Sequence, residues 1–588
     1  MVKKSKFWLP MIGIASAFAL IPAVIVSCSR NNSTISQQYI TTDIGGLNNT
    51  FNPTNSTGDN VNHKLVEKVK EIRQGSDQAK KDLLDQRVIL ITTGGKTNDK
   101  SFNQSVWEAV SKFSNEIDAK DNTYYETSVI DQATQSSSYD YAIAKKFKIW
   151  ILTGFQQETL LLQWLSVGNN LKRFTENGTF VITVDWFPAD VSDDPKIQKI
   201  LDTIKGRVLG LNFKTQHGGF TMGYAASKLV QEIDADLKKG PSGPQQNAFA
   251  SGNTWFNAFA GGDFSGATNF NYGFYEGMRQ FNEENAAKTN NDEKYFVKAS
   301  PTDLTTNFAI NNESKQKVFA QVDGHFVNGT QIPPKLIFPV AGPLTSVAID
   351  RVKDKKSNQW IVGVDADQSL AFEADKGLLL TSVEKRIAIA AYKALLTVFG
   401  LTDYDTEGGS DEKTNLLNDS GYSISDGLIM NGSTPVNFNS TGGYKEGFVG
   451  VSKSTLDPNL FKFQNTNGNK TYAQRFDEIV DQTWKDFFGE GDKVGRFETD
   501  KTNTSGSVQN GLKDDQAIKN FNNAMGQWAG MHKKDANNND IPISDEEIQT
   551  NNIIPRVLAL KNPFYGYMNF DNKRVYFDPI IKQINEFK

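Results

Sequence analysis

Two aspartates, Asp185 and Asp365, each follow a short β-branched run, Val181 to Val184 and Ile361 to Val364. Both carboxylates should therefore emerge where a buried strand ends. A carboxylate held there accepts hydrogen bonds from ring nitrogens or exocyclic amines, or two at once from vicinal hydroxyls. Lys385 stands just after another such run, at what reads as a helix start, where a cation gains nothing from the helix dipole and needs another reason to be present. Phe102 offers an aromatic face on which a flat ring can stack for roughly 1 to 3 kcal/mol, with little selectivity among rings. It fits equally as the first core residue of a helix. Asn98 and Asp99, just before it, either touch a ligand or cap that helix. For Asp185 and Asp365 the plainer reading is a turn or cap residue.

A second cluster of oxygen donors lies near the C-terminus. In the segment from Asp535 to Glu546, donors from Asp535, Asn537, Asn539 and Glu546 fall at loop positions 1, 3, 5 and 12, the spacing of an EF-hand calcium loop. Asp540 replaces the sharp-turn glycine and Pro542 the usual aliphatic, so a structural calcium site competes with a polar surface loop. No other cofactor is indicated. His63, His217, His325 and His532 are scattered, and no Cys/His cluster exists for zinc. There is no Gly-x-Ser-x-Gly elbow. Gly95-Lys96-Thr97 is not a phosphate loop, because Leu90 stands where its first glycine is required. An enzyme is not indicated. The net charge of -5 supplies no basic footprint for nucleic acid.

The elements that must position these residues alternate from Arg87 onward, short β-branched runs with longer amphipathic stretches, which is the pattern of parallel-sheet units with crossover helices. Strands are expected at 88–92, 127–130, 148–152, 180–184, 208–212, 335–340, 360–364 and 378–382. One helix should begin at Ser101, with Phe102, Val106, Ala109, Val110, Phe113 and Ile117 on one face and Ser101 with Gln104 as a capping box. Another should run from Glu384 to Phe399 and stop at Gly400. Thr93 ends the first strand before a glycine pair, a polar turn and the first helix, at the sheet edge where open α/β proteins bind ligands.

At the N-terminus Lys3, Lys4 and Lys6 precede an apolar run from Phe7 to Val26, the layout of an export signal. Its end, Ile25-Val26-Ser27-Cys28, resembles the lipobox of bacterial lipoproteins, which makes residues 1–27 a signal peptide and Cys28 a lipidated mature terminus. An uncleaved membrane span is the alternative, and Pro10, Pro22 and the abrupt Ser27-Cys28 end count against it. Cys28 is the single cysteine in 588 residues, so no intramolecular disulfide is possible. Residues 28–62, rich in Asn, Ser, Thr and Gly, read as a flexible tether.

The stretch Gly94-Gly95…Asn98-Asp99-Lys100-Ser101-Phe102-Asn103-Gln104 resembles the signature of the basic membrane protein family, lipid-anchored solute receptors of ABC importers that include purine-nucleoside receptors. The likeness continues in order through Leu211 to Phe220, Ala260-Gly261-Gly262-Asp263, Ile337 to Gly342, Ile361 to Gln368 and Thr381 to Lys385. It implies an α/β chain with the type I periplasmic-binding-protein fold, two doubly wound parallel-sheet lobes joined by a hinge, with an added C-terminal region. On that reading lobe 1 spans 87–214 and lobe 2 spans 215–375. A return at 376–450 carries a coreless insertion at 402–442, and 455–588 is an accessory region.

The resemblance also implies roles. Phe102 lies against a nucleobase, Asp185 faces the base, Asp365 and Lys385 hold the sugar, Gly342 lets backbone approach it, and Phe308 gives the second aromatic face. Thr93 stands where nucleoside receptors carry a base-contacting aspartate. The implied function is a membrane-tethered receptor on the extracellular face that closes on a small solute, a nucleoside, and delivers it to a permease. The alternative is a surface adhesin or host-interaction lipoprotein using the same fold. A hydrolase of surface polymers lacks any recognisable constellation.

Overall fold

The structure, a computed structural model, describes residues 43–47, 63–128, 131–189, 191–192, 194–239, 254–262, 264–290, 295–300, 302–327, 329–402, 415–417, 421–457, 470–490, 493–499, 532–534 and 540–542. Cys28 and the candidate calcium ligands Asp535, Asn537, Asn539 and Glu546 lie outside the described residues. A short antiparallel pair, His532–Lys534 with Asp540–Pro542, brackets the first three of those ligands.

Two six-stranded sheets organise the body. The first is built from β1 (Val88–Thr93), β2 (Thr123–Ser128), β3 (Ile149–Thr153), β4 (Phe180–Val184) and β5 (Val208–Phe213), and the second from β6 (Trp255–Ala260), β7 (Lys298–Ala299), β8 (Leu336–Val340), β9 (Trp360–Asp365) and β10 (Leu379–Lys385). Late in the chain β11 (Phe438–Gly442) joins the first sheet and β12 (Val449–Val451) the second. The strand orders are β2-β1-β3-β4-β5-β11 and β7-β6-β8-β9-β10-β12, so both lobes repeat one doubly wound pattern. All pairings are parallel except that of β10 with β12.

Alternate side chains of the central strands enter different cores, which is why these strands read as continuous apolar runs. In the first sheet Leu90, Ile151 and Ile182 face one core and Ile91, Trp150 and Val181 the other. In the second, Phe338 and Val362 face one and Ile337 and Ile361 the other.

Helix α1 (Phe102–Glu116) covers lobe 1, and α2 (Gln216–Lys239) and α3 (Ser265–Ala286) pair on lobe 2. Glycines set the α2–α3 distance: a Cβ on Gly219 would sit 2.2 Å from the Phe270 carbonyl, and one on Gly273 2.2 Å from that of Gln216. Helix α4 (Ile387–Val398) is buried against α1 in the lobe 1 core, and α5 (Tyr472–Phe488) sends Phe476, Val480, Trp484 and Phe487 into that of lobe 2.

The chain passes between lobes three times, after β5, after β10 and between β11 and β12. The Lys214 amide donates to the Gly442 carbonyl at 2.8 Å and the Arg386 amide to that of Phe448 at 2.9 Å, so the three crossings lie side by side. This is the type I periplasmic-binding-protein architecture implied by the resemblance.

Several local expectations change. The polar span 402–442 carries core after all: Leu417 and Ile429 are buried in lobe 1, the Ile429 amide donates to the Gly206 carbonyl at 2.7 Å, and β11 completes the sheet beside β5. Isolated apolar residues in a hairpin arrangement (Tyr422–Ser425 with Leu428–Asn431) do this work, and average polarity conceals them. β10 runs on to Lys385, with Glu384 in register with Asp365, so the next helix starts at Ile387 and Lys385 ends a strand. β6, Trp-Phe-Asn-Ala-Phe-Ala, has no β-branched residue, so a search for such runs passes over it. β2 starts at Thr123, four residues before the expected 127, because an edge strand needs less apolar surface; 129–130 lie outside the described residues.

Candidate functional site

Asp185 directly follows β4 and Asp365 ends β9, the fourth strands of the two lobes. Both adopt the left-handed backbone region, with φ of 69° and 68°. Aspartate is among the few side chains that tolerate it, and non-glycine residues held there cluster at ligand clamps. The shared turn re-aims each carboxylate from the end of its sheet towards the facing lobe.

Lys385, arriving from lobe 2, places its ammonium 2.5 Å from Asp185 Oδ2 and donates to the Gly266 carbonyl at 3.3 Å. The two side chains are 3% and 8% exposed. The rings of Phe102, Phe213 and Phe270 surround the ammonium, with centroids 5.4, 5.7 and 5.6 Å away, close enough for cation–π attraction. Burial pushes the Asp185 carboxyl above its ordinary range; the Lys385 ammonium opposes this, and the nearby Asp365 charge adds to it.

Asp365 is held from lobe 1, because Ser101 Oγ donates to its Oδ2 at 2.9 Å. The expected capping box at Ser101 does not form. Asp99 caps α1 instead, accepting from the amides of Ser101, Asn103 and Gln104 at 3.0, 3.0 and 3.1 Å and from Asn103 Nδ2 at 2.8 Å. One carboxylate can satisfy several of the orphan N–H groups of a helix start, which frees the Ser101 hydroxyl to reach across the cleft. Gly342, with φ of 52°, lies opposite: a Cβ there would be 3.5 Å from Ser101 Oγ.

Of the residues singled out from sequence, Phe102, Asp185, Gly342, Asp365 and Lys385 therefore gather where the lobes meet. Phe308 stands at the rim, 37% exposed, with its ring 5.9 Å from that of Phe264. Thr93 is turned to the neighbouring strand, donating to the Thr153 carbonyl at 3.0 Å, and Asn98 is exposed.

Three contributors escape sequence reading. Ser101 acts across the cleft and not as a cap. Phe155 of lobe 1 and Phe264 of lobe 2 stack on each other, centroids 3.7 Å apart and planes at 26°. Phe155 comes two residues after β3, at the sheet's switch point, and Phe264 two after the Gly261-Gly262 pair, so position relative to a strand end was the available signal. Among the described residues no group of three His, Cys, Asp or Glu side chains is placed to hold a metal.

No family model matches the chain. In structure it is similar to solute-binding proteins. One, an ABC transporter system solute-binding protein from Aeropyrum pernix K1, is 15% identical, with 80% of this chain and 99% of that chain covered and a TM-score of 0.42. Another, an ABC transporter periplasmic solute binding protein from Actinobacillus succinogenes 130z with bound D-allose, is 12% identical, covering 64% and 99%, with a TM-score of 0.36. A transcriptional activator of the comK gene from Bacillus halodurans is 12% identical, covering 66% and 98%, with a TM-score of 0.37. A fold does not fix a function, so what this chain does must be read from its site.

Proposed function

We propose that this chain is a lipid-anchored solute receptor that closes its two lobes on a small hydroxylated ring compound, a nucleoside, and hands it to an ABC importer. The observation that carries the reading is the pair of left-handed aspartates at equivalent strand ends, facing one another with a lysine between the lobes. Each uses one carboxylate oxygen within the protein, on Lys385 or on Ser101. The second oxygen of each is available to a ligand's hydroxyl or amine. Lys385 spends two of its three N–H bonds on Asp185 and Gly266 and keeps one for a ligand oxygen. Because these groups come from both lobes, a solute bridging them favours the closed arrangement over an open one. Asp365 would take the sugar hydroxyls, and Phe102 the base.

A thermal-shift screen with nucleosides, free sugars and amino acids tests this. A ligand present at a hundred times its dissociation constant should stabilise by about 2.7 kcal/mol. Nucleosides should raise the melting temperature and amino acids should leave it unchanged; a panel without any nucleoside response would sink the proposal.

The anchor is a separate part of the same reading, supported by the sequence that ends at Cys28. Cys28→Ser should remove incorporation of labelled fatty acid and leave the chain unprocessed or released. Continued labelling of that variant would refute lipidation at Cys28.

A further inference from the structure

Residues 43–47 lie inside the span expected to be a flexible tether, yet they are docked. Ile44 and Leu47 are buried, at 2% exposure each. The segment closes on itself through the Leu47 amide, which donates to Asp43 Oδ1 at 2.8 Å, and the Gly46 amide, which donates to the Asp43 carbonyl at 3.3 Å. On lobe 1, the Gly45 and Ile44 amides donate to Glu108 of α1 at 2.9 and 3.3 Å. On lobe 2, the Asp367 amide, just past β9, donates to the Ile44 carbonyl at 3.2 Å. Gly45 is pressed so closely on α4 that a Cβ would sit 2.4 Å from that of Ala388, immediately after one of the interlobe crossings.

The turn that Asp367 belongs to is itself part of the meeting of the lobes. Asp365 takes Ser101, the Gln368 side chain donates to the Lys100 carbonyl at 3.4 Å, and the Lys100 ammonium donates to the Ala371 carbonyl at 3.0 Å. One short peptide thus bonds to both lobes beside the residues that join them across the cleft.

We propose that residues 43–47 are a strap whose docking is coupled to lobe closure, so that the segment leading to the N-terminal anchor senses the state of the solute site. This rests on the solute-receptor reading for its ligand but not for its mechanics. Opening the lobes separates Glu108 from Asp367, and the strap cannot keep both sets of bonds. By linkage, whatever factor the strap contributes to closure, solute binding returns to strap docking. The Glu108 carboxyl supports the coupling, since burial pushes it up to about 8 even with donors from Ile44, Gly45 and Gln104, and undocking the strap removes two of those three donors.

Hydrogen exchange on the full chain, parent against Gly45→Val, tests the proposal in two arms. Without solute, the variant should exchange at least tenfold faster at Ile44 and Gly45 and also at Asp367, while β3 and β8 keep parental rates. Unchanged exchange at Asp367 would show that the strap is not coupled to lobe 2 and would overturn the proposal. With adenosine added to the parent, the amides around Asp365 and those of Ile44 and Gly45 should slow together. Slowing around Asp365 alone overturns the strap and leaves the receptor reading standing. If adenosine slows neither region, the receptor reading loses that ligand and the solute-free arm still decides the strap.

Discussion

Replacing Lys385 by methionine should lower the free energy of unfolding by about 3 to 5 kcal/mol, the range for removing one partner of a buried ion pair and leaving the other charge behind. The pair is nearly inaccessible to water, and Asp185 has no other cation at bonding distance among the described residues. Guanidinium denaturation of the parent, Lys385→Met and the double variant Asp185→Asn/Lys385→Met measures it. The double variant should recover most of the loss, because an amide and a thioether carry no stranded charge. A loss under about 1 kcal/mol in Lys385→Met, the magnitude of an exposed pair, would show that the site is wetter than its geometry.

The pH dependence has a definite sign. Burial already raises Asp185 above its ordinary value, and removing the opposing ammonium raises it further. A carboxyl whose folded pKa lies above its unfolded value holds its proton in the fold, so its share of stability is present at low pH and lost as pH rises through the folded pKa. Lys385→Met should therefore be closest to the parent in acid and fall away as pH rises. This makes Lys385 in the first place the partner of Asp185, and its truncation a larger event for the fold than a lone ligand contact would be.

The second large effect concerns solute affinity. Asp365 is held in the left-handed region, where alanine is strained, so glycine is the informative replacement: it keeps the backbone and removes both acceptor oxygens. Hydrogen bonds to a charged group are worth about 1.5 to 3 kcal/mol each, and the oxygen of Asp365 not engaged by Ser101 has two lone pairs, so accepting from two vicinal hydroxyls gives roughly 3 kcal/mol or more. At 1.4 kcal/mol per factor of ten, Asp365→Gly should weaken adenosine binding by about a hundredfold or more in titration calorimetry. Ser101→Ala keeps the carboxylate and loses the hydroxyl that orients it, so its loss should be smaller. Adenosine affinity of Asp365→Gly within threefold of the parent would mean that the sugar site is elsewhere.

Much of this was legible in the one-dimensional pattern. Strands buried on both faces must be apolar throughout, so β1, β3, β4, β8 and β9 show as runs, and the residues that follow them mark the sheet edges. The pattern therefore places Asp185 and Asp365 at strand ends by itself, since backbone periodicity alone dictates where such a side chain emerges. The polar turn before α1 announced a capped helix, although not which residue would cap it.

Contacts between residues far apart in the chain were decided by the tertiary structure. Lys385 meets Asp185 across 200 positions and Ser101 meets Asp365 across 264, and no local pattern distinguishes a lysine that will be buried from one that will stay in water. β11 reads as polar loop because an edge strand takes its hydrogen bonds from β5 and needs few apolar residues of its own. Asp43 to Leu47 reads as tether because it is short and offers only Ile44 and Leu47 for burial. Its order comes from Glu108, Asp367 and Ala388, bonds and packing that exist only once both lobes are built around it.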